Sequence, residues 1–466
     1  MKTKTVPVTI GSVALELNLP AKTDVLAMKT AQLLSDPAAT VAQALKAPIA
    51  APPLERIVRE KLREKSDAQA VVVISDNTRP VPYRGESGIL WPIVKTLMDC
   101  GMESDQILIL VANGTHRALS EEELEEMLDP SIFAAGIRVK NHDCRNGEDL
   151  VFLGQTSRGS QVYINRDYMR ADLKILTGLV ESHFMAGVSG GRKSVCPGLI
   201  GEQSTYIFHG APLLASPQAD LMILQGNPCH EEALEVAKMA GVDFIVNVTL
   251  DCDYNLTGIF AGDLEKAHEK AVEKLREYTT IPIEHEYDLV VTHGGFVGLN
   301  HYQTAKTAVS AALAVKPGGK MIIAADITDL DPVGSNNYRT VLHLLTLMGA
   351  EKFNKLLLSP DWTFVPDQWQ VQMWAKVFQK IDMADLYYYS PQVPARDYQI
   401  IPGVNGNKFL PEELWYTGRP ETIGLFIENA IRSCLETPGA EEMTIAFLAD
   451  GPYGVPVNQT EGQGPT

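Results

Sequence analysis

A glycine-rich segment with one lysine, GVSGGRKS, stands near the middle of the chain, from Gly187 to Ser194. A phosphate-binding loop of the Walker type requires glycine, four residues, and then Gly-Lys-Ser or Gly-Lys-Thr. Counted from Gly187, Arg192 stands where the second glycine belongs, and lysine and serine follow it. The segment therefore indicates either a relaxed nucleotide-binding loop or a lysine that serves another chemistry.

Histidines, basic residues and carboxylates follow several segments that read as buried strands. In open α/β sheets, ligands bind outside the carboxyl ends of the strands, so side chains at those ends are candidates for one cleft. Each residue alone has a structural explanation, because a histidine in a turn often only makes hydrogen bonds. The coincidence of several predicts a catalytic site. The candidates are Asp76, Arg79, His116, Arg117, Glu181, His183, Lys193, His209, Tyr302, Gln303 and Lys306.

The types of these residues limit the chemistry but leave it open. Arg79 and Lys306 suit a carboxylate or a phosphate, the arginine by a planar fork and the lysine as a point charge. His116 and His183 could each gain or lose a proton near neutral pH. His209 has no carboxylate partner in its motif and could bind a transition metal. A metal hydrolase, a phosphate-binding enzyme and an isomerase all remain consistent with this set.

The elements that must position these residues alternate between apolar, β-branched runs and helical segments. Such alternation predicts mainly parallel sheets covered on both faces. The pattern restarts near residue 280, which predicts two α/β domains with the active site in the cleft between them. We expect an amino-terminal domain over residues 1–280 that carries the lysine and the histidines, a second domain over 281–450 that closes over the substrate, and a tail over 451–466. A small hairpin is predicted within residues 5–20.

Composition excludes several classes of protein. The chain has 466 residues and a formal net charge of -18, which argues against a nucleic acid as its main partner. Its six cysteines contain no C-x-x-C pair, so a reducing compartment is the simpler interpretation. The sequence shows neither a signal peptide nor an apolar run long enough for a membrane span. We therefore expect a cytoplasmic protein that binds neither nucleic acid nor membrane.

Taken in order, five motifs resemble the nickel-pincer lactate racemase family, which comprises nickel-dependent racemases and epimerases of 2-hydroxy acids. The motifs are SDNTRPVP, ANGTHR, ESHFMAGVSGGRKSVCPG, FHG and HYQTAK, and the likeness spans roughly residues 71–319. In that family the lysine of the glycine-rich loop is joined covalently to a pyridinium bis-thiocarboxylate mononucleotide that carries nickel. The resemblance thus implies that the lysine is an attachment point, and not part of a damaged phosphate loop.

The resemblance also implies a role for each matching residue. Lys193 would carry the cofactor and Asp76, Gly190 and Gly191 would contact it; His209 would bind nickel; His116 and His183 would be the paired acid/base residues; Arg79, Tyr302, Gln303 and Lys306 would bind the substrate. The implied reaction is racemisation or epimerisation of lactate, or of a longer or sugar 2-hydroxy acid. The implied partners are that small molecule and cofactor-synthesis proteins, and the chain could form a homo-oligomer.

Two alternative functions belong to other classes. A nucleotide-binding protein could use GVSGGRKS as a relaxed phosphate loop, although Arg192 replaces a glycine whose backbone must approach phosphate. A zinc-dependent hydrolase could use His116, His183 and His209, although no carboxylate is spaced beside them as a further ligand or base.

Overall fold

The computed structural model describes residues 2–459 and divides the chain into two compact units. One unit is Thr30–Tyr278. The other joins the first residues, through Lys29, to the chain from Thr279 onward. The expected amino-terminal domain of residues 1–280 therefore differs from the structure at its start, because the first 29 residues belong with the carboxyl-terminal half.

Within residues 2–459, twenty strands form the sheets of the two units. In chain order they are β1 (Thr3–Ile10), β2 (Val13–Pro20), β3 (Asp24–Leu26), β4 (Ala70–Ser75), β5 (Ile107–Ala112), β6 (Arg138–Asn141), β7 (Leu150–Gln155), β8 (Gln161–Asn165), β9 (Leu173–Leu179), β10 (Ser182–His183), β11 (Gly187–Val188), β12 (Phe244–Leu250), β13 (Leu256–Gly262), β14 (Thr280–Ile283), β15 (Tyr287–His293), β16 (Val315–Ala324), β17 (Leu386–Tyr389), β18 (Val404–Asn405), β19 (Ile445–Leu448) and β20 (Val455–Asn458).

In the described part of the chain, fifteen α-helices connect and cover these strands. They are α1 (Pro37–Lys46), α2 (Leu54–Glu64), α3 (Leu90–Asp99), α4 (Glu121–Met127), α5 (Pro130–Ala134), α6 (Arg166–Arg170), α7 (Thr205–Phe208), α8 (Ala211–Leu214), α9 (Pro228–Ala240), α10 (Lys266–Thr279), α11 (His301–Ala312), α12 (Asn336–Met348), α13 (Ala350–Leu357), α14 (Gln368–Val377) and α15 (Thr422–Leu435).

The unit Thr30–Tyr278 is built on a six-stranded sheet in the order β13-β12-β9-β4-β5-β6. Every neighbouring pair is parallel except β12 and β13. The strands β4, β5, β9 and β12 are apolar and buried almost throughout, as expected for parallel strands covered on both faces. The predicted mainly parallel α/β architecture is confirmed.

The order of these strands marks where a ligand site is expected. From β4 the chain proceeds to β5 and β6 on one side, whereas β9, β12 and β13 lie on the other side. The direction of winding therefore reverses between the neighbours β4 and β9. Ligands of open α/β sheets bind at such a switch point, outside the carboxyl ends of the strands. The loops that follow β4 and β9 contain SDNTRP and ESHFMAGVSGGRKS.

The second unit has its own six-stranded parallel sheet, in the order β18-β17-β16-β15-β19-β3. The predicted hairpin is confirmed as the antiparallel pair β1 and β2. Its apolar face, which includes Ile10 and Leu17, shares a core with Phe426 and Ile427 of α15. The first residues join this unit because β3 extends its sheet and the hairpin buries apolar side chains on its helix.

A buried carboxylate fastens the turn of that hairpin. Asp326 follows β16 and is 3% exposed. Its side chain accepts hydrogen bonds from Ser12 N at 3.0 Å, from Ser12 Oγ at 2.7 Å and from Gln392 Nε2 at 2.7 Å. A Cβ on Gly11, whose φ is +60°, would lie 2.6 Å from the Asp326 Cβ. The turn thus depends on glycine for its shape and on Asp326 for its attachment.

We expect Asp326→Ala to lower the free energy of unfolding by about 2–4 kcal/mol, because the substitution removes three hydrogen bonds to a buried carboxylate. Urea denaturation of the parent and the variant measures this difference. The exposed Asp361 offers a matched control as Asp361→Ala. A loss below about 0.5 kcal/mol for Asp326→Ala, in the range of ordinary surface substitutions, would contradict the anchoring role.

The end of the chain also differs from the expectation. Within the expected tail, 451–466, residues Val455–Asn458 form β20, which pairs in parallel with β14. A strand appears there because Val455 and its neighbours are apolar enough to be buried against β14. Residues 460–466 lie outside the described part of the chain. Among residues 2–459, no helix is both long enough and apolar enough to cross a membrane.

Candidate active site

The loop after β4 carries a buried carboxylate that binds a histidine of the neighbouring loop. Asp76 is 5% exposed, and its Oδ2 lies 2.6 Å from His116 Nδ1. Its Oδ1 accepts from Thr78 N at 3.1 Å and from Thr78 Oγ1 at 2.5 Å. Burial alone would raise the pKa of Asp76, but the hydrogen bond and charge of His116, with Thr78 and Arg79, outweigh it and lower the pKa.

This contact fixes which ring nitrogen of a neutral His116 carries the proton. Because an ionised carboxylate only accepts hydrogen bonds, the proton of the neutral ring lies on Nδ1 and the Nε2 lone pair remains available. The side chain of His116 is 55% exposed, so Nε2 can face a ligand. In the structure the Asp76 carboxylate orients a histidine, and its expected contact with a cofactor stays a prediction.

The same loop pairs with the loop after β9. Arg79 Nε lies 3.0 Å from Glu181 Oε1, and Arg79 Nη1 donates to Thr78 O at 3.0 Å. The residues predicted to share a site at the ends of β4, β5 and β9 are therefore brought together. Arg117, the neighbour of His116, instead pairs with Glu123 through both of its Nη atoms, at 2.7 and 2.6 Å.

The glycine-rich loop folds around the side chain of Arg192. Arg192 is 1% exposed, and its Nη2 donates to Ala186 O at 2.8 Å and to Val188 O at 2.7 Å. Its Nη1 makes longer contacts with the carbonyl oxygens of Ser189 and Gly190. A phosphate loop directs its N–H groups inward at an anion. Here the loop directs carbonyl groups inward at a cation, which contradicts the nucleotide-binding alternative.

The glycines of this loop are required by backbone shape and close packing. Gly190 has a φ of +74°, and a Cβ there would lie 2.7 Å from Val180 Cγ2. Gly191 has a φ of +51°, and its Cβ would lie 3.0 Å from His268 Cδ2. Gly191 N donates to Oδ1 of the buried Asn247 on β12 at 3.0 Å. Packing therefore accounts for both glycines, while their contact with a cofactor stays a prediction.

Lys193 lies in the 3-10 turn Gly191–Ser194 and meets His183. Its Nζ lies 3.0 Å from His183 Nε2. The other ring nitrogen, Nδ1, accepts from Met185 N and Ala186 N, each at 3.2 Å. A nitrogen that accepts N–H groups carries no proton, so a neutral His183 ring has its proton on Nε2. Nε2–H then donates to Nζ, which must be an unprotonated amine to accept it.

Electrostatics favour the same state of the lysine. Burial, followed by the positive charges of Arg192 and Arg79, lowers the pKa of Lys193 to about 7. Burial also lowers the pKa of Arg192, to about 9, which still leaves the guanidinium charged at neutral pH. A lysine with a lowered pKa is a nucleophile near neutrality, because a substantial fraction of it is the free amine.

His209 follows the short helix α7, and its ring packs against Phe208 with centroids 4.6 Å apart. Burial, followed by the charges of Lys193 and His116, lowers the pKa of His209 to about 3. The imidazole is therefore neutral at physiological pH, which is the form that binds metals. His209 also lies close enough to both side chains to interact with them electrostatically.

A metal site made of protein ligands alone is absent from the part of the chain that the structure describes. Across residues 2–459, no group of three or more His, Cys, Asp or Glu side chains could hold a metal ion. His116, His183 and His209 thus do not form the three-histidine centre of the zinc-hydrolase alternative. A metal bound by His209 would need its other ligands from a non-protein group.

Three predicted substrate-binding residues belong to the other unit, on the first turns of α11. Tyr302 Oη accepts from Trp369 Nε1 at 2.8 Å, and Tyr302 O accepts from Gln370 Nε2 at 2.6 Å. Gln303 N donates to the capping side chain of Asn300 at 2.9 Å. Lys306 lies one turn further along the same helix.

Sequence reasoning overlooked several residues that organise the site. The sequence marked Arg192 only as a departure from the phosphate-loop motif. Its side chain holds the loop together by hydrogen bonds to carbonyl groups, and these depend on a folded shape that the motif does not encode. Glu181 received no role, although it stands beside His183. Asn247 had a recognisable signal, because an amide inside the apolar strand FIVNVTL must find a partner when buried. The D-x-T spacing of Asp76 and Thr78 is likewise typical of an Asx turn.

Comparison with known proteins identifies relatives of both halves of the chain. Residues 10–222 match the model of the lactate racemase N-terminal domain, and residues 284–388 match that of the lactate racemase C-terminal domain. The lactate racemase of Thermoanaerobacterium thermosaccharolyticum is 32% identical over 343 residues, 72% of this chain and 76% of that protein. The lactate racemase of Lactiplantibacillus plantarum is 32% identical over 340 residues, 72% of this chain and 77% of that protein.

Solved structures show the same architecture. The lactate racemase apoprotein from T. thermosaccharolyticum superimposes with a TM-score of 0.79 at 25% identity, and the match covers 98% of this chain and all of that one (100%). A protein from Thermotoga maritima matches with a TM-score of 0.57 at 17% identity, over 88% of this chain and 100% of that one, which is a likeness of fold alone.

Proposed function

Because the chain belongs to the lactate racemase family, it is an isomerase of the racemase type, and we propose that it inverts a 2-hydroxy acid with a nickel-pincer cofactor attached to Lys193. The substrate is lactate or a longer or sugar 2-hydroxy acid. The observation that carries the proposal is the contact of Lys193 with His183, which favours a free amine at the base of the candidate site.

The residues present fit such a group. Lys193 offers a nucleophilic nitrogen, since burial and two neighbouring positive charges lower its pKa to about 7. His209 offers one neutral imidazole for nickel, and the pincer group itself would supply the remaining ligands. When bound, the cofactor would accept the hydrogen of the hydroxyl-bearing carbon as a hydride and return it.

The two other histidines handle the proton of the substrate hydroxyl. His116 is oriented as a base, because Asp76 holds the proton of its ring on Nδ1 and leaves Nε2 to accept. His183 is oriented as a donor, because two main-chain N–H groups occupy Nδ1 and leave the proton on Nε2. Inversion in one direction needs a base on one face of the substrate and a proton donor on the other. The two histidines exchange these roles in the reverse direction, which explains two histidines where a dehydrogenase needs one.

Arg79 binds the substrate carboxylate in this proposal, and Tyr302, Gln303 and Lys306 complete the binding of its polar groups. An arginine suits this task because its N–H groups match the geometry of a carboxylate. Tyr302 Oη already accepts from Trp369, so its own O–H can donate to a ligand. Closure of the second unit over the substrate would exclude water from the reacting groups.

Intact-mass and nickel measurements on protein produced together with the cofactor-synthesis proteins test this function. We expect an adduct on the peptide that contains Lys193, and we expect Lys193→Ala to lose it. His209→Ala should keep the adduct but lower the nickel content, because one metal ligand is removed while the covalent bond remains.

The half-buried Lys174, whose Nζ donates to Ala240 O at 2.7 Å, provides the matched control as Lys174→Arg, which should retain both adduct and nickel. An adduct that maps to another lysine would overturn the assignment of Lys193. Equal nickel in His209→Ala and the parent would overturn the role of His209.

A further inference from the structure

Glu181 holds Arg79 in a defined orientation at the switch point of the sheet. Arg79 Nε pairs with Glu181 Oε1 at 3.0 Å, and Arg79 Nη1 donates to Thr78 O at 3.0 Å. Two of the three guanidinium nitrogens are thereby engaged. Within the described residues, Nη2 is the nitrogen of Arg79 that remains for a ligand.

The backbone of Glu181 is itself fixed to the glycine-rich loop. Glu181 N donates to Ser189 Oγ at 3.0 Å, and Ser189 N donates to Glu181 O at 2.9 Å. Ser189 is 4% exposed, and its Oγ donates to Leu179 O at 2.7 Å. The carboxylate of Glu181 therefore extends from a rigid base, and its position is set by the loop that carries Lys193.

The exposure of this pair argues against a purely stabilising role. The side chains of Arg79 and Glu181 are 27% and 32% exposed, and ion pairs open to solvent contribute little to stability. The pair does restrict a long side chain that otherwise samples many rotamers. Restriction before binding lowers the entropy that a ligand must remove from its binding group.

We propose that Glu181 is a positioning residue for substrate binding, which fixes the guanidinium of Arg79 so that Nη2 donates to the carboxylate of the 2-hydroxy acid. This inference rests on the proposed function, in which Arg79 contacts that carboxylate. The opposite possibility is that Glu181 competes with the substrate for Arg79. The two possibilities predict opposite changes in substrate affinity, because removal of a positioning residue weakens binding and removal of a competitor strengthens it.

Substitutions that separate geometry from charge decide between them. Glu181→Gln keeps a side chain of the same length beside Arg79 but removes the charge of the ion pair, whereas Glu181→Ala removes the contact entirely. We expect Glu181→Ala to raise the Kd of L-lactate for the cofactor-free protein, and the KM of the loaded enzyme, by about tenfold. Glu181→Gln should fall between the parent and Glu181→Ala, because it keeps the length of the side chain but not the ion pair, and kcat should change less than KM in both variants.

The matched control is Glu231→Ala, which removes a glutamate of α9 that pairs with Arg158. Calorimetry of L-lactate binding to the cofactor-free protein provides a readout that is independent of activity. Tighter binding in both Glu181 variants would identify a competitor and overturn the proposal, as would unchanged binding in Glu181→Ala. An unchanged Kd in Arg79→Met would show instead that Arg79 does not bind the carboxylate, and the proposed function would fail at that residue.

Discussion

Replacement of either His116 or His183 with alanine should abolish racemisation, because inversion requires proton transfer on both faces of the substrate. General acid/base catalysis contributes about 10²–10⁴-fold to a rate, so we expect a loss of that size or more for each variant. A single variant should still convert the enantiomer whose base remains into bound 2-keto acid. The two variants should therefore prefer opposite enantiomers.

The measurement is to incubate each variant separately with each enantiomer and to follow the keto acid and the optical purity of the product. The exposed His343 provides a control as His343→Ala, which should racemise at the parent rate. Racemisation at the parent rate by either active-site variant would contradict its role. The same enantiomer preference in both variants would contradict their placement on opposite faces.

The structure gives the two histidines different starting states, which residue types alone do not reveal. A carboxylate accepts from Nδ1 of His116, whereas two main-chain N–H groups donate to Nδ1 of His183. One ring therefore accepts at Nε2 and the other donates there. Which ring nitrogen carries the proton depends on the hydrogen-bond partner of Nδ1. That partner comes from another loop for His116 and from the local backbone for His183.

Much of the fold could be predicted from sequence because buried parallel strands leave a strong signal. AVVVIS and ILILVA are continuous apolar runs, and both form strands of the expected sheet. The first 29 residues could not be assigned to the correct unit. Their attachment depends on β3 pairing with β19 and on Asp326 binding Ser12, which are contacts between residues more than 300 positions apart.

The candidate site was predictable where a strand end supplies the residue and unpredictable where a loop folds back on itself. Asp76, His116 and His183 follow from the rule that ligands bind at the carboxyl ends of strands. Arg192 does not, because its role depends on carbonyl groups of Ala186 and Val188 that converge only in the folded loop. Local sequence identifies which residues are reactive more readily than which residues hold them in place.

Asp76→Asn should lower kcat by about 10²–10⁴-fold with little change in KM, because the substitution changes the tautomer of His116 and not its position. Asp76 Oδ1 accepts two hydrogen bonds from Thr78, so the oxygen of the new amide must stay on that side. The amide NH₂ then faces His116 and donates to Nδ1. The ring proton moves to Nε2, where the base is needed.

The matched control for Asp76→Asn is Asp129→Asn, an aspartate of the same unit that accepts from Ser131 N at 2.9 Å and whose other oxygen accepts from Gly85 N at 3.3 Å. It should keep parent kcat, since no histidine depends on it. The cofactor adduct and nickel content of Asp76→Asn should equal those of the parent, because Lys193 and His209 are unchanged. A parent-like kcat in Asp76→Asn would contradict the tautomer argument. A loss of adduct would show instead that Asp76 acts in cofactor binding, as the resemblance to the family implies.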